Sequence, residues 1–223
     1  MSSLLPTTIS FLGELAENNN RPWFSENKDR YVQAHDNVKS FMAEVESELA
    51  KHDQIEKSKL FRIYRDVRFS KDKTPYNPHW RMSFTREKPH LRGGYYLHIG
   101  PEEAFLAAGF WNPEPKDLAL IRGNIAADPD RFKAAVSASS VRKTFGDMYG
   151  DAVKTSPKGY DKSHPEIDLL RMKQYLFQKS YDIESVVHPD FAKVVSKSFK
   201  AIRPFYDYMS DILSHNLNGE PLY

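Results

Sequence analysis

Residues 80–111 read WRMSFTREKPHLRGGYYLHIGPEEAFLAAGFW, and their pattern decides the fold. Trp80, Met82 and Phe84 alternate with Arg81, Ser83 and Thr85, the period of a strand with one face buried. Glu87-Lys88-Pro89 opens a turn and Gly93-Gly94 closes it. Tyr95, Leu97 and Ile99 then alternate with Tyr96 and His98. Gly100-Pro101-Glu102-Glu103 turns again into Ala104–Trp111. Strands joined by short turns pair antiparallel, as a meander. Keeping apolar side chains together sets Met82 opposite Leu97 and Leu97 opposite Leu106, which also places Arg81 across from His98. One face is then apolar. The other carries Arg62, Tyr64, Arg81, Ser83, Tyr96, His98, Phe105, Ala107, Gly109 and Trp111, with the small residues predicting room above the sheet for another piece of this chain or for a ligand held by Arg62, Arg81 and His98.

Working outward, Phe61 and Ile63 alternate with Arg62 and Tyr64, predicting a strand that starts near Leu60. Residues 66–79 predict a long connection, because Thr74-Pro75 and Asn77-Pro78 exclude helix and central strand. Upstream, Thr7 or Thr8 is expected to cap a helix ending at Asn18–Asn20. A long second helix begins near Pro22, carries Phe24, Tyr31, Val38, Phe41, Val45 and Leu49 on one stripe, and is expected to break near His35-Asp36. Downstream, helices are expected from Pro115 through Ile125 and from Pro129 through Val136, then a loop over 146–164 and a strand near 173–181. A terminal helix from about Pro189 is divided at Pro204 and continues to Leu217. The expectation is an α+β fold, one domain over residues 1–223, with a mainly antiparallel sheet packed by N-terminal, central and C-terminal helices.

Bulk composition bounds the function. In 223 residues with 40% hydrophobic and 28% charged side chains, a formal charge of +2 gives no global field to recruit polyanions. The absence of cysteine excludes disulfides, thiolate catalysis and Cys-ligated metals, and suits a reducing cytoplasm. The start, Met-Ser-Ser-Leu-Leu-Pro, lacks the features of a signal peptide, and no apolar run reaches membrane-spanning length.

Chemistry concentrates in residues 62–81. Arg62, Arg65, Arg68, Lys71, Lys73 and Arg81 face only Asp66 and Asp72 within it. Guanidinium forks suit phosphate or carboxylate, and the candidate ligand-binding set is Arg62, Arg65, Arg68, Lys73, Tyr76, Arg81, Tyr96 and His98. Asp66 and Asp72 are expected to form structural ion pairs with the same arginines. Lys73 and Tyr76 are a possible acid–base pair. His79, His90 and His98 lack metal-ligating spacing, so no metal and no cofactor is expected. Lys154–Lys162 with Tyr160 reads as a solvated basic loop.

The arrangement Arg62, Arg65, Asp66, Arg68, Phe69, Asp72, Lys73 and Tyr76 resembles the hallmark R-x-x-R-D-x-R-F-x-x-D/N-K-x-x-Y of a bacterial family with fungal relatives, domain of unknown function 2461. The resemblance extends over nearly the whole chain, through Phe11-Leu12 with Asn18–Asn20, Trp23-Phe24, Gly94-Tyr95-Tyr96, Gly109 with Trp111 and Pro113, and Leu170-Arg171. It implies no reaction, cofactor or partner. Three functions compete: binding, with or without turnover, of a small anionic phosphate- or carboxylate-bearing ligand; nucleic-acid binding, with Tyr96, Phe105 and Trp111 as stacking surfaces; and a protein-interaction domain whose arginines are purely structural.

Overall fold

The computed structural model describes residues 3–216 and 218–223. Among them are ten helices and one five-stranded antiparallel sheet with strands in the order of the chain, an α+β fold. The strands are β1 (Ile55–Leu60), β2 (Trp80–Arg86), β3 (Gly94–Ile99), β4 (Ala104–Phe110) and β5 (Tyr175–Tyr181). The first strand therefore precedes the expected one. Residues 55–60 are mostly polar and show only a weak alternation, as befits an edge strand. The chain leaves the sheet at Phe61, whose N–H donates to Arg81 O at 2.9 Å. The meander register agrees with the expected one: Gly100 N–H donates to Glu103 O and Arg86 N–H to Gly93 O. Counting back from these bonds puts Leu97 across from both Leu106 and Met82.

The chain divides into two compact units. The first takes the chain through Phe84, then Tyr96–Leu106 and Ser180–Lys197. Helix α1 (Pro6–Glu17) starts at its proline, so Thr7 and Thr8 lie inside the first turn and neither caps it. Thr8 is buried instead, and its hydroxyl donates to Asn37 Oδ1 at 2.7 Å. Helix α2 (Arg21–Glu26) is capped by Asn20, which accepts the Trp23 N–H. The break comes at Asn27, whose side-chain amide donates to the carbonyl of Trp23. Helix α3 (Lys28–Leu49) then runs unbroken past His35-Asp36. Its stripe of Tyr31, Ala34, Val38, Phe41, Val45 and Leu49 is buried, as are Trp80, Met82, Phe84, Leu97, Ile99 and Leu106 of the sheet's apolar face.

The second unit comprises Thr85–Tyr95, Ala107–Lys179 and Ser198–Tyr223. It holds α4 (Pro115–Ala127), α5 (Pro129–Ser137), α6 (Ser139–Phe145), α7 (Ile167–Arg171), most of β5 and α10 (Arg203–Ser214). Helices α6 and α7 are too short to show periodicity, and they flank the expected loop. Pro204 does divide the terminal helix, into α9 (Phe191–Ala201) and α10. Helix α10 stops at Ser214, with His215 already extended, short of the expected end at Leu217, which itself lies outside the described residues. Buried Tyr206 accepts the Gly109 N–H at 2.7 Å, and its hydroxyl donates to Gly94 O. Gly109 decides between the two occupants expected over the small residues of β4, another part of the chain or a ligand. At φ +130°, a Cβ there would stand 2.1 Å from the carbonyl oxygen of Tyr175. The room its missing side chain leaves is taken by the backbone of β5, not by a ligand.

Candidate functional site

The connection between β1 and β2 is a closed loop. An antiparallel bridge joins Tyr64 to Tyr76 at its neck, where Arg65 N–H donates to Pro75 O and Asn77 N–H to Ile63 O. Inside the loop the Arg65 guanidinium donates to Asp72 at 2.5 Å, to the carbonyl of Thr74 at 3.1 Å and to the Thr74 hydroxyl. Asp72 in turn accepts the Thr74 N–H at 2.9 Å. That bond, then Arg65 and the Thr74 hydroxyl, hold the Asp72 carboxyl down to about 2. Arg68 forks onto Asp66, at 2.9 Å through Nε and 2.6 Å through Nη2, which also lowers the Asp66 carboxyl. Lys73 donates to the carbonyls of Val67 and Arg68, at 3.0 and 3.4 Å. Arg62 is exposed and contributes its field to Asp66. At the apex stands Phe69, 96% exposed.

Tyr76 turns the other way. It stacks on Phe24 with ring centres 4.1 Å apart, and Asn19 bonds both its N–H and its carbonyl. Phe24, Tyr31 and Tyr64 surround the Lys28 ammonium at 4.7–5.5 Å, and that ammonium donates to the Tyr64 hydroxyl at 2.8 Å. Lys73 and Tyr76 are thus engaged separately and form no acid–base pair. The Lys28 contact had no signal in the sequence, because 36 residues separate it from Tyr64.

A second group gathers on the polar side of β2, β3 and β4, within the first unit. Arg81 lies with its guanidinium carbon 5.4 Å from the centre of the Phe61 ring. Among the described residues it has no ion pair. Across from it, His98 is 7% exposed, stacks on Phe105 at 4.6 Å and meets His79 at 4.5 Å. Its Nε2 stands 3.2 Å from a Glu103 carboxylate oxygen. Burial, then the charges of His98 and Arg81, push the His79 imidazole down to about 4. Burial lowers His98 as well; Glu103 opposes that shift and Arg81 adds to it. The His79 ring is neutral at neutral pH, and burial disfavours the charged form of His98. Tyr96 sits 6.1 Å from Phe105, its phenol raised by burial.

The eight predicted ligand residues therefore separate. Arg81, Tyr96 and His98 come together on the sheet. Arg65, Arg68 and Lys73 are spent inside the loop, Tyr76 is in the aromatic cluster, and Arg62 stands apart. His79 joins the sheet group from a position just after Asn77-Pro78, outside any alternation, so periodicity could not place it. His90 is exposed, and so are Lys154, Lys158 and Lys162 of the second basic patch. Among the described residues no three His, Asp or Glu side chains form a metal-ligating group, and no helix is long and apolar enough to cross a membrane. A search of the curated proteins gives no match. The model of the family described as Conserved hypothetical protein (DUF2461) matches residues 7–208, nine-tenths of the sequence, and the chain belongs to that family.

Proposed function

We propose that the protein binds a small anionic ligand, bearing a phosphate or carboxylate, on the polar face of β2–β4 with Arg81 at its centre. One observation carries this reading. Arg65 and Arg68 have aspartate partners, while Arg81 has none and is left half-buried against Phe61. A half-buried cation without a counter-charge favours an anion beside it. Neutral His79, and His98 whose charged form burial disfavours, add N–H donors with little like charge near Arg81. The stacked His98 and Phe105 rings offer a flat surface for a planar ligand body, in keeping with the mixed apolar and polar lining of small-molecule sites. Turnover of the ligand is not required by this reading. A chain without cysteine suits the cytoplasm, and we place it there.

The test is an NMR titration of the histidine ring protons with inorganic phosphate, benzoate and adenosine monophosphate, on the native protein and on Arg81→Met. Saturable shifts at His79 and His98 that vanish in Arg81→Met support the site. Resonances that ignore all three anions, or shifts that persist in Arg81→Met, overturn it. Tight binding of an oligonucleotide with a steep salt slope would instead favour a nucleic-acid surface.

A further inference from the structure

We propose that the protein pairs with a second copy of itself by seating Phe69 in a shallow groove beside α1. The loop has the features of a preformed anchor. Phe69 is 96% exposed, yet the loop beneath it is held by Arg65, Asp72, Thr74, Arg68, Asp66 and Lys73. Presenting a large apolar ring from a rigid tip lowers the ordering cost of binding. The surroundings of the ring are basic: residues 62–73 carry five cations against two aspartates, an excess of three in a chain of formal charge +2. The rest of the molecule is therefore slightly acidic.

The first unit also carries the complement. A groove of about 420 Å³ has Ile9, Pro101, Ile183 and Val187 in its lining, together with Glu102 and Glu184. Its apolar lining suits the ring, and its two glutamates complement Arg62 and Lys71 of the loop. Position also fits a twofold pair. The loop runs directly into Trp80, which lies across from Ile99, and the turn after Ile99 supplies Pro101 and Glu102. Tip and groove thus flank the same end of the strands, and each copy can place its tip in the groove of the other. A contact built on one ring and a few charged side chains is small, so the pair is weak and transient.

The direct measurement is sedimentation velocity of the full chain up to about millimolar concentration, at low and high salt. A reversible dimer that loosens with salt is expected. Phe69→Ser should weaken it about thirtyfold, the loss typical of an interface anchor, and Glu102→Lys with Glu184→Lys should do likewise. These side chains are exposed, so all three changes leave the fold intact. Because the native chain has no cysteine, mixing Phe69→Cys chains with Ile9→Cys chains under mild oxidation should trap a mixed disulfide dimer, absent when Ile9→Cys is alone. Arg81→Met should leave the dimer unchanged, which keeps this proposal separate from the anion site. A monomer at every concentration overturns the proposal. So does a dimer indifferent to Phe69→Ser, or Phe69-dependent capture of anionic vesicles or oligonucleotides without self-association.

Discussion

Acidification should destabilise the protein through His79 before its carboxylates are protonated. The unfolded imidazole takes up a proton near pH 6.5 and the folded one near 4, because burial and the neighbouring His98 and Arg81 disfavour its charged form. Between those values the unfolded chain binds more protons. The contribution is therefore whole above pH 6.5 and is lost as pH falls toward 4. A 2.5-unit difference is worth at most about 3.4 kcal/mol, of which about 2.5 kcal/mol has gone by about pH 4.5. His98 acts in the same direction, tempered by Glu103. The assay is urea unfolding at a series of pH values, on the native protein and on His79→Gln. Carboxylate effects are common to both, so the difference curve isolates His79. A native curve falling more steeply by about 2 kcal/mol across this window is expected. Parallel curves, or a His79 ring titrating near its unfolded value by NMR, would refute the burial argument and with it the neutral-imidazole site.

Leu97→Ala should cost about 2–5 kcal/mol in urea, since Leu97 is fully buried on the apolar face; a loss below about 0.5 kcal/mol would mean the faces are assigned the wrong way round. Gly109→Ala should destabilise by well over 1 kcal/mol, because its Cβ would meet the Tyr175 carbonyl and the backbone φ is positive, and a melting temperature equal to that of the native protein would contradict that contact. Asp72→Asn weakens the hold on Arg65 and Thr74, so amide exchange and proteolysis over residues 66–74 should quicken while the core melts unchanged. Exchange as slow as in the native loop would show that the remaining bonds suffice.

The parts of this fold legible in the sequence are those governed by short-range periodicity. Trp80-Met82-Phe84, Tyr95-Leu97-Ile99 and Ala104-Leu106 declare their strands, their turns and their register, because burial of one face admits a single pairing. The Pro204 division of the terminal helix is equally local. The edge strand β1 escaped because a polar edge needs no alternation, and the short helices α6 and α7 because a turn or two holds no period. The motif showed that the arginines and aspartates of residues 62–73 are a charged cluster, and their number and type come from the sequence alone. Which guanidinium would find a carboxylate depended on tertiary structure. The neck at Tyr64 and Tyr76 turns Arg65 inward onto Asp72, while strand pairing carries Arg81 out onto the polar face beside His98. His79, Lys28 and the backbone that fills the space at Gly109 were likewise decided by contacts between segments far apart in the chain. Alternation reports which side of an element a residue faces; only the folded chain brings the opposing surface that pairs its charge or leaves it open.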